Sequence, residues 1–124
     1  MKKKPSKSLA IRKADQAFSQ YIRQKNAVDS IAVCVTCGIA KPWKEMQAGH
    51  FVSRSKHALR YDERNVHVQC YRCNVPLKGN YPSYALFLQK KYGNNILESL
   101  LAESQVIRKW SVVELEELTA KWKG

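Results

Sequence analysis

Two cysteine pairs, Cys34-Val35-Thr36-Cys37 and Cys70-Tyr71-Arg72-Cys73, constrain this chain more than any other feature. Each pair sets two thiols on one tight turn, and two such turns complete a tetrahedral shell around Zn²⁺. A redox pair or buried free thiols are the alternatives. Metal ligation is favoured over both, because thiols stay reduced in the cytosol and nothing in the sequence signals export. Met1-Lys2-Lys3-Lys4 has the charge of a secretory n-region, but no apolar stretch or small-residue cleavage site follows, so a cytoplasmic location is expected. A closed four-sulfur shell leaves no position for water. The zinc on Cys34, Cys37, Cys70 and Cys73 is therefore expected to be structural, joining the turn at 34–38 to the segment after Cys70.

With 124 residues the chain has room for one domain and one functional centre. Residues 1–7 read as a basic disordered arm, either lying along phosphates or serving only as a solubilising tail. Residues 8–124 read as the domain. A helix is expected within 8–30, with Ser8 as N-cap and Ile11, Ala14, Phe18, Tyr21 and Ile22 at helical spacing. Helical periodicity disappears in 31–80, where Ile31-Ala32-Val33 and Val66-His67-Val68 read as short strands among turns. Residues 83–123 read as helical again. Ser83 is the expected cap of a helix that Gly93 ends, and Ile96, Leu97, Leu100 and Leu101 supply a further apolar face that Trp110 joins. Ser111-Val112-Val113-Glu114 is a capping-box pattern before a last helix whose stripe is Val112, Leu115, Leu118 and Trp122.

Lys and Arg number 22 against 10 Asp and Glu, a formal charge of +12. Such an excess repels itself in a compact state unless a polyanion is near, so nucleic acid is the leading partner, ahead of a merely solvated basic surface. The absence of a long apolar run argues against a membrane span. Among the cations of the centre, Arg54, Lys56, Arg60, Arg64, Arg72 and Lys78 are read as phosphate contacts, with Glu45, Asp62 and Glu63 as the chief opposing acids. Tyr71 and Tyr81 can stack on exposed bases, but packing in the core is the favoured reading. No helix carries base-reading residues at the spacing of a zinc finger or helix-turn-helix, so shape or branching is the expected target rather than base sequence.

Residues 46–80 concentrate histidines, asparagines and cations around the second cysteine pair. This grouping resembles the HNH, or ββα-metal, nucleases: a histidine ending a strand (His50), an asparagine later (Asn65), and a metal-ligand position just after the last cysteine (Asn74). The resemblance implies that His50 is the general base, that Asn65 orients it, and that Asn74 binds Mg²⁺ or Mn²⁺. The division suits phosphodiester hydrolysis, since a neutral imidazole activates water and a hard cation neutralises the leaving oxygen. Asn65 can instead merely shape a turn. Most members place an Asp or His ligand immediately before the base, where this chain has Gly49. His67 is the proposed substitute, because strand alternation turns Asn65, His67 and Gln69 to one face; its alternative is a histidine bonded within the fold or touching phosphate.

A closer resemblance is carried by Cys-x-x-Cys-Gly at 34–38, Ala48-Gly49-His50, Leu59-Arg60, Glu63-Arg64-Asn65-Val66-His67, Gln69-Cys70-x-x-Cys73-Asn74 and Lys78-Gly79-Asn80. On these residues the chain resembles the NinG, or Rap, recombination proteins of lambdoid phages, whose members are longer. The resemblance implies an α+β fold with a zinc-stabilised, treble-clef-like ββα-metal centre flanked by N- and C-terminal helices. It also implies a phage or prophage protein in the host cytoplasm that cuts branched DNA such as D-loops and Holliday junctions, with a homodimer as an open possibility. The competing expectations are a non-catalytic zinc-bearing DNA-binding accessory protein and a zinc-based protein-interaction domain.

Overall fold

The computed structural model describes residues 6–123. Helix α1 (Lys7–Gln24) opens the fold, with the Ser6 hydroxyl accepting the Leu9 N–H. The cap thus lies two residues before Ser8, because the helix continues back to Lys7 once Ser6 satisfies a free amide. Of the expected basic arm, residues 1–5 lie outside the described residues, and Lys7 belongs to the helix. Ala10, Ala14, Ala17, Phe18 and Ile22 form its buried face.

Four short strands follow. β1 (Ile31–Val33) pairs antiparallel with β2 (Ala40–Pro42), and β3 (Gln47–His50) pairs antiparallel with β4 (Val66–Gln69). In the second pair Gln47 faces Gln69, Ala48 faces Val68, Gly49 faces His67 and His50 faces Val66. A single turn of helix, α2 (Tyr71–Asn74), leaves β4 directly, giving a strand–strand–helix centre. Beyond it Lys78, Gly79 and Asn80 all have positive φ. That left-handed run folds the chain back so that the Gly79 N–H reaches the Cys73 carbonyl at 2.8 Å.

Helix α3 (Tyr81–Tyr92) starts at Asn80 rather than at Ser83, because Pro82 fits the first turn of a helix, where its missing N–H costs nothing. Gly93, at φ 100°, ends it. Helices α4 (Ile96–Ser104) and α5 (Val112–Lys123) complete the fold. The capping box forms: Glu114 N–H donates to the Ser111 hydroxyl at 3.1 Å and Ser111 N–H donates to the Glu114 carboxylate at 3.0 Å. Ser111→Ala is expected to lower stability by about 1 kcal/mol in a urea titration.

Three apolar clusters hold these elements. α1 and α5 enclose Phe18, Ile22, Tyr61, Val66 and Leu115, and Trp110, Val112, Leu118 and Trp122 pack against them. Trp110 therefore belongs to this cluster and not to that of Ile96 and Leu100, because the Trp110 indole N–H reaches back to the His57 carbonyl at 3.0 Å. A second cluster gathers Ala32, Met46 and Val68 around Cys34, Cys70 and Cys73. The third joins Leu59 to Tyr84, Leu88, Ile96 and Leu100 of α3 and α4. Among the described residues no helix is long and apolar enough to cross a membrane.

Candidate metal centre and cleft

The ligand atoms of Cys34, Cys37, Cys70 and Cys73 all lie within 4.8 Å of one another, and none is in a disulfide. Cys37 Sγ and Cys70 Sγ are 3.7 Å apart. Zn–S bonds of about 2.3 Å in a tetrahedron put sulfurs about 3.8 Å apart, so the spacing and the soft donor set suit zinc. Burial alone would raise the Cys34 thiol. Hydrogen bonds from Thr36 and from nearby backbone amides outweigh burial and bring it down to about 6, whereas burial and the neighbouring thiols push Cys37 and Cys70 up, so the close sulfurs share their protons unequally. Asn80 adds a contact from its amide to Cys73 Sγ at 3.6 Å, which gives the left-handed turn a purpose. The four cysteines are positioned to bind a metal ion.

On the α1 side of β3 the surface opens into a cleft of about 530 Å³. His50, Asn74, Gln47, Asp15, Ser19, Arg23, Arg54 and Tyr81 are among its lining residues. The structure thus brings His50 and Asn74 together. His50 Nε2 lies 3.0 Å from the Arg60 carbonyl oxygen. A carbonyl only accepts, so in the neutral ring Nε2 carries the proton and Nδ1 keeps its lone pair. Burial, reinforced by the charges of Arg54 and Arg60, holds the His50 pKa below the ordinary value of 6.5, against the opposing effects of the Arg60 carbonyl and Asp15. Asn74 Nδ2 donates to Gln47 Oε1 at 2.6 Å, which leaves Asn74 Oδ1 as the atom of that amide available to a ligand.

Asn65 makes no hydrogen bond to the His50 ring. It is fully buried and spends its amide on the loop: Oδ1 accepts from Val52 N–H at 2.8 Å, and Nδ2 donates to the carbonyls of Val52 at 3.0 Å and Leu59 at 3.2 Å. The expected direct bond from Asn65 to His50 is replaced by the Arg60 carbonyl. The Asn65 amide thus holds Leu59, the neighbour of the Arg60 whose carbonyl meets His50.

His67 is not brought to the cleft. In the register of β3 and β4 it faces Gly49, one residue out of step with His50, and so lies on the α3 side of the pair. Its Nδ1 is 3.2 Å from the Tyr84 hydroxyl and its Nε2 is 2.9 Å from the Tyr92 hydroxyl. Burial, with the charges of Lys91 and Lys25 adding to it, pushes its pKa down to about 4. Both ring nitrogens are already used within the fold. The intended substitute for position 49 therefore sits on the wrong face of the strand pair.

Gly49 itself has a steric reason. A Cβ there would lie 1.8 Å from Gln69 Oε1. Gln69 is fully buried and anchored through Nε2 to the Gly79 carbonyl at 2.9 Å and to Thr36 at 3.2 Å, so it cannot swing aside freely. Gly49→Ala is expected to cost about 1–3 kcal/mol by overpacking. Adding Gln69→Ala should recover part of that loss in a double-mutant cycle measured by denaturant unfolding.

Two of the expected phosphate contacts are occupied. Arg60 is held in a fork by Asp15, with Nε to Oδ1 at 2.8 Å, and Tyr61 donates to the same carboxylate at 2.9 Å. Arg64 is paired with Asp62 at 2.7 Å and Glu103 at 2.8 Å. These pairings join α1 and α4 to the central loop, through acids distant in sequence. Arg54, Lys56, Arg72 and Lys78 are exposed; Arg54 lies 4.0 Å from Asp15. Tyr71 and Tyr81 are 57% and 46% exposed rather than packed in the core, because α2 is too short to cover the first and the second begins α3 at the rim of the cleft. Asp15 and Arg23 also line the cleft and were not expected there: on the polar side of an amphipathic helix far from the motif, they carry no local signal in the sequence.

Fold and site together define a small α+β protein in which four cysteines positioned to bind a metal ion adjoin a strand–strand–helix centre and a histidine-bearing cleft. The family model described as Bacteriophage Lambda NinG protein matches residues 1–124, and the chain belongs to this family. It is 32% identical to Protein ninG of Escherichia phage 933W over 117 residues, covering 94% of this chain and 56% of that protein. To Protein ninG of Salmonella phage P22 and of Escherichia phage lambda it is 29% identical, again over 94% of this chain and 55% of each relative. The chain thus spans about half the length of these relatives. No solved structure matches it.

Proposed function

We propose that the chain is a metal-dependent endodeoxyribonuclease of HNH type acting on branched recombination intermediates, D-loops and Holliday junctions, with His50 as general base. The observation that carries the reading is the His50 ring: Nε2–H is held by the Arg60 carbonyl, no described residue hydrogen-bonds Nδ1, and the ring lines a cleft walled by arginines. Nδ1 takes a proton from water as the oxygen attacks phosphorus. Asn65 keeps the loop in place while this happens. Asn74 is the residue that would hold Mg²⁺ or Mn²⁺, whose contribution when bound is to neutralise charge on the leaving oxygen. The cysteine cluster holds zinc as a structural ion in this reading, and DNA is the partner.

One observation favours a second reading, a DNA-binding accessory protein without catalysis. Asp15 is the one carboxylate lining the cleft among the described residues, and Arg60 and Tyr61 occupy it. Labelled junction, D-loop and linear duplex, incubated side by side with and without Mg²⁺ or Mn²⁺, separate the two. Nicking that requires the added ion and prefers branched substrates supports the nuclease; binding without nicking in either ion supports the accessory protein.

A further inference from the structure

Arg23 differs from three arginines that the fold pairs with acids. Arg60, Arg64 and Arg108 each have a carboxylate within 3 Å, whereas Arg23 has no carboxylate within ion-pairing distance among the described residues. Its guanidinium is nevertheless held in place. Nε donates to the Ser19 carbonyl and hydroxyl, both at 3.2 Å, and the guanidinium carbon lies 5.1 Å from the centroid of the Trp43 ring. Lys44 Nζ, also without a carboxylate, lies 5.8 Å from the centroid of the same ring. Arg23, Ser19, His50 and Arg54 line one cleft.

A half-buried cation without a counter-charge is costly, and fixing a long side chain adds an entropic cost. Stacking on an indole and a bond through Nε leave the two terminal nitrogens free, and their planar fork matches the spacing of phosphate oxygens. The cleft therefore presents a preformed cationic fork on the α1 wall, with Arg54 on the loop wall.

We infer that Arg23, braced by Ser19 and Trp43, is a phosphodiester ligand that seats the DNA backbone in the cleft beside His50. The inference rests on the reading of the cleft as a DNA site, and it assigns to α1 a direct part in substrate binding. Ser19 acts as a positioning residue, since it meets the guanidinium and not the phosphate.

The test is binding of a labelled four-way junction without added Mg²⁺ or Mn²⁺, titrated between about 50 and about 200 mM salt. Wild type should bind with log K falling linearly against log salt. Arg23→Met should weaken binding about tenfold at low salt and flatten the slope by about 0.9, the value of one phosphate contact. Arg23→Lys should keep the slope and lose part of the affinity, because the charge remains while the fork and the stacking are lost. Ser19→Ala should behave like Arg23→Lys. One equivalent of zinc and an unchanged circular dichroism spectrum establish that each variant is folded, and the Lys and Ala variants carry the test if the Met variant is not. Wild-type slope and affinity in all three folded variants would overturn the Arg23 assignment while leaving DNA binding intact. Failure of the wild-type chain to bind the junction would overturn both.

Discussion

Stripping the metal from the four-cysteine cluster should unfold the centre of the chain, not just remove one activity. β1 and β2 have three residues each and β3 and β4 four, and two-stranded sheets of that size do not stand alone in water. The apolar residues that surround the cluster are few, with Ala32, Met46 and Val68 its buried non-cysteine members. Structural zinc in small domains contributes about 10–16 kcal/mol of apparent binding energy, comparable to the whole stability of a domain, about 5–15 kcal/mol. Cys73→Ser, at a fully buried position, should therefore abolish cooperative melting. Cys37→Ser, at an exposed one, should leave a weakened site that excess zinc rescues. Helices α1 and α5 have their own cluster and should retain part of the helical signal. Zinc analysis with thermal melts before and after chelation checks this; an unchanged cooperative transition in the metal-free chain would contradict it.

The four-cysteine cluster was legible in the sequence because its thiols come in local pairs, and pair spacing alone dictates a shared turn. Helix ends set by Gly93 and by the Ser111 box were legible for the same reason. What the sequence concealed depends on register and on distant partners. Whether His67 shares a face with His50 is decided by which residue of β4 lies opposite it, and a slip of one residue reverses the answer. The observed pairing of His50 with Val66 sends His67 under α3. Likewise, Arg60 looked free because Asp15 lies 45 residues away along the chain, and the second partner of Arg64, Glu103, lies 39 residues away. Gly49 looked like a missing ligand, and the packing shows a position that Gln69 closes to any side chain.

His50→Ala should reduce cleavage by about 10²- to 10⁴-fold, the usual contribution of a general base. The rate should also carry the signature of a buried imidazole. Burial and the flanking charges of Arg54 and Arg60 lower its pKa, while the Arg60 carbonyl and Asp15 oppose them. The base form of a group with a lowered pKa persists to lower pH, so the acid limb of kcat/KM should fall below pH about 6.5 rather than at it. Replacing Arg54, the exposed member of this set, with Met should move that limb upward. A limb at or above the ordinary histidine value in wild type would argue that another group limits the rate.

Whether this cleft breaks phosphodiester bonds through His50 is tested most directly by single-turnover cleavage of a labelled Holliday junction by zinc-matched wild type and His50→Ala. The prediction is Mg²⁺- or Mn²⁺-dependent nicking by wild type and binding without nicking by the variant. Equal cleavage by both proteins, or binding without nicking by wild type in either ion, would contradict it.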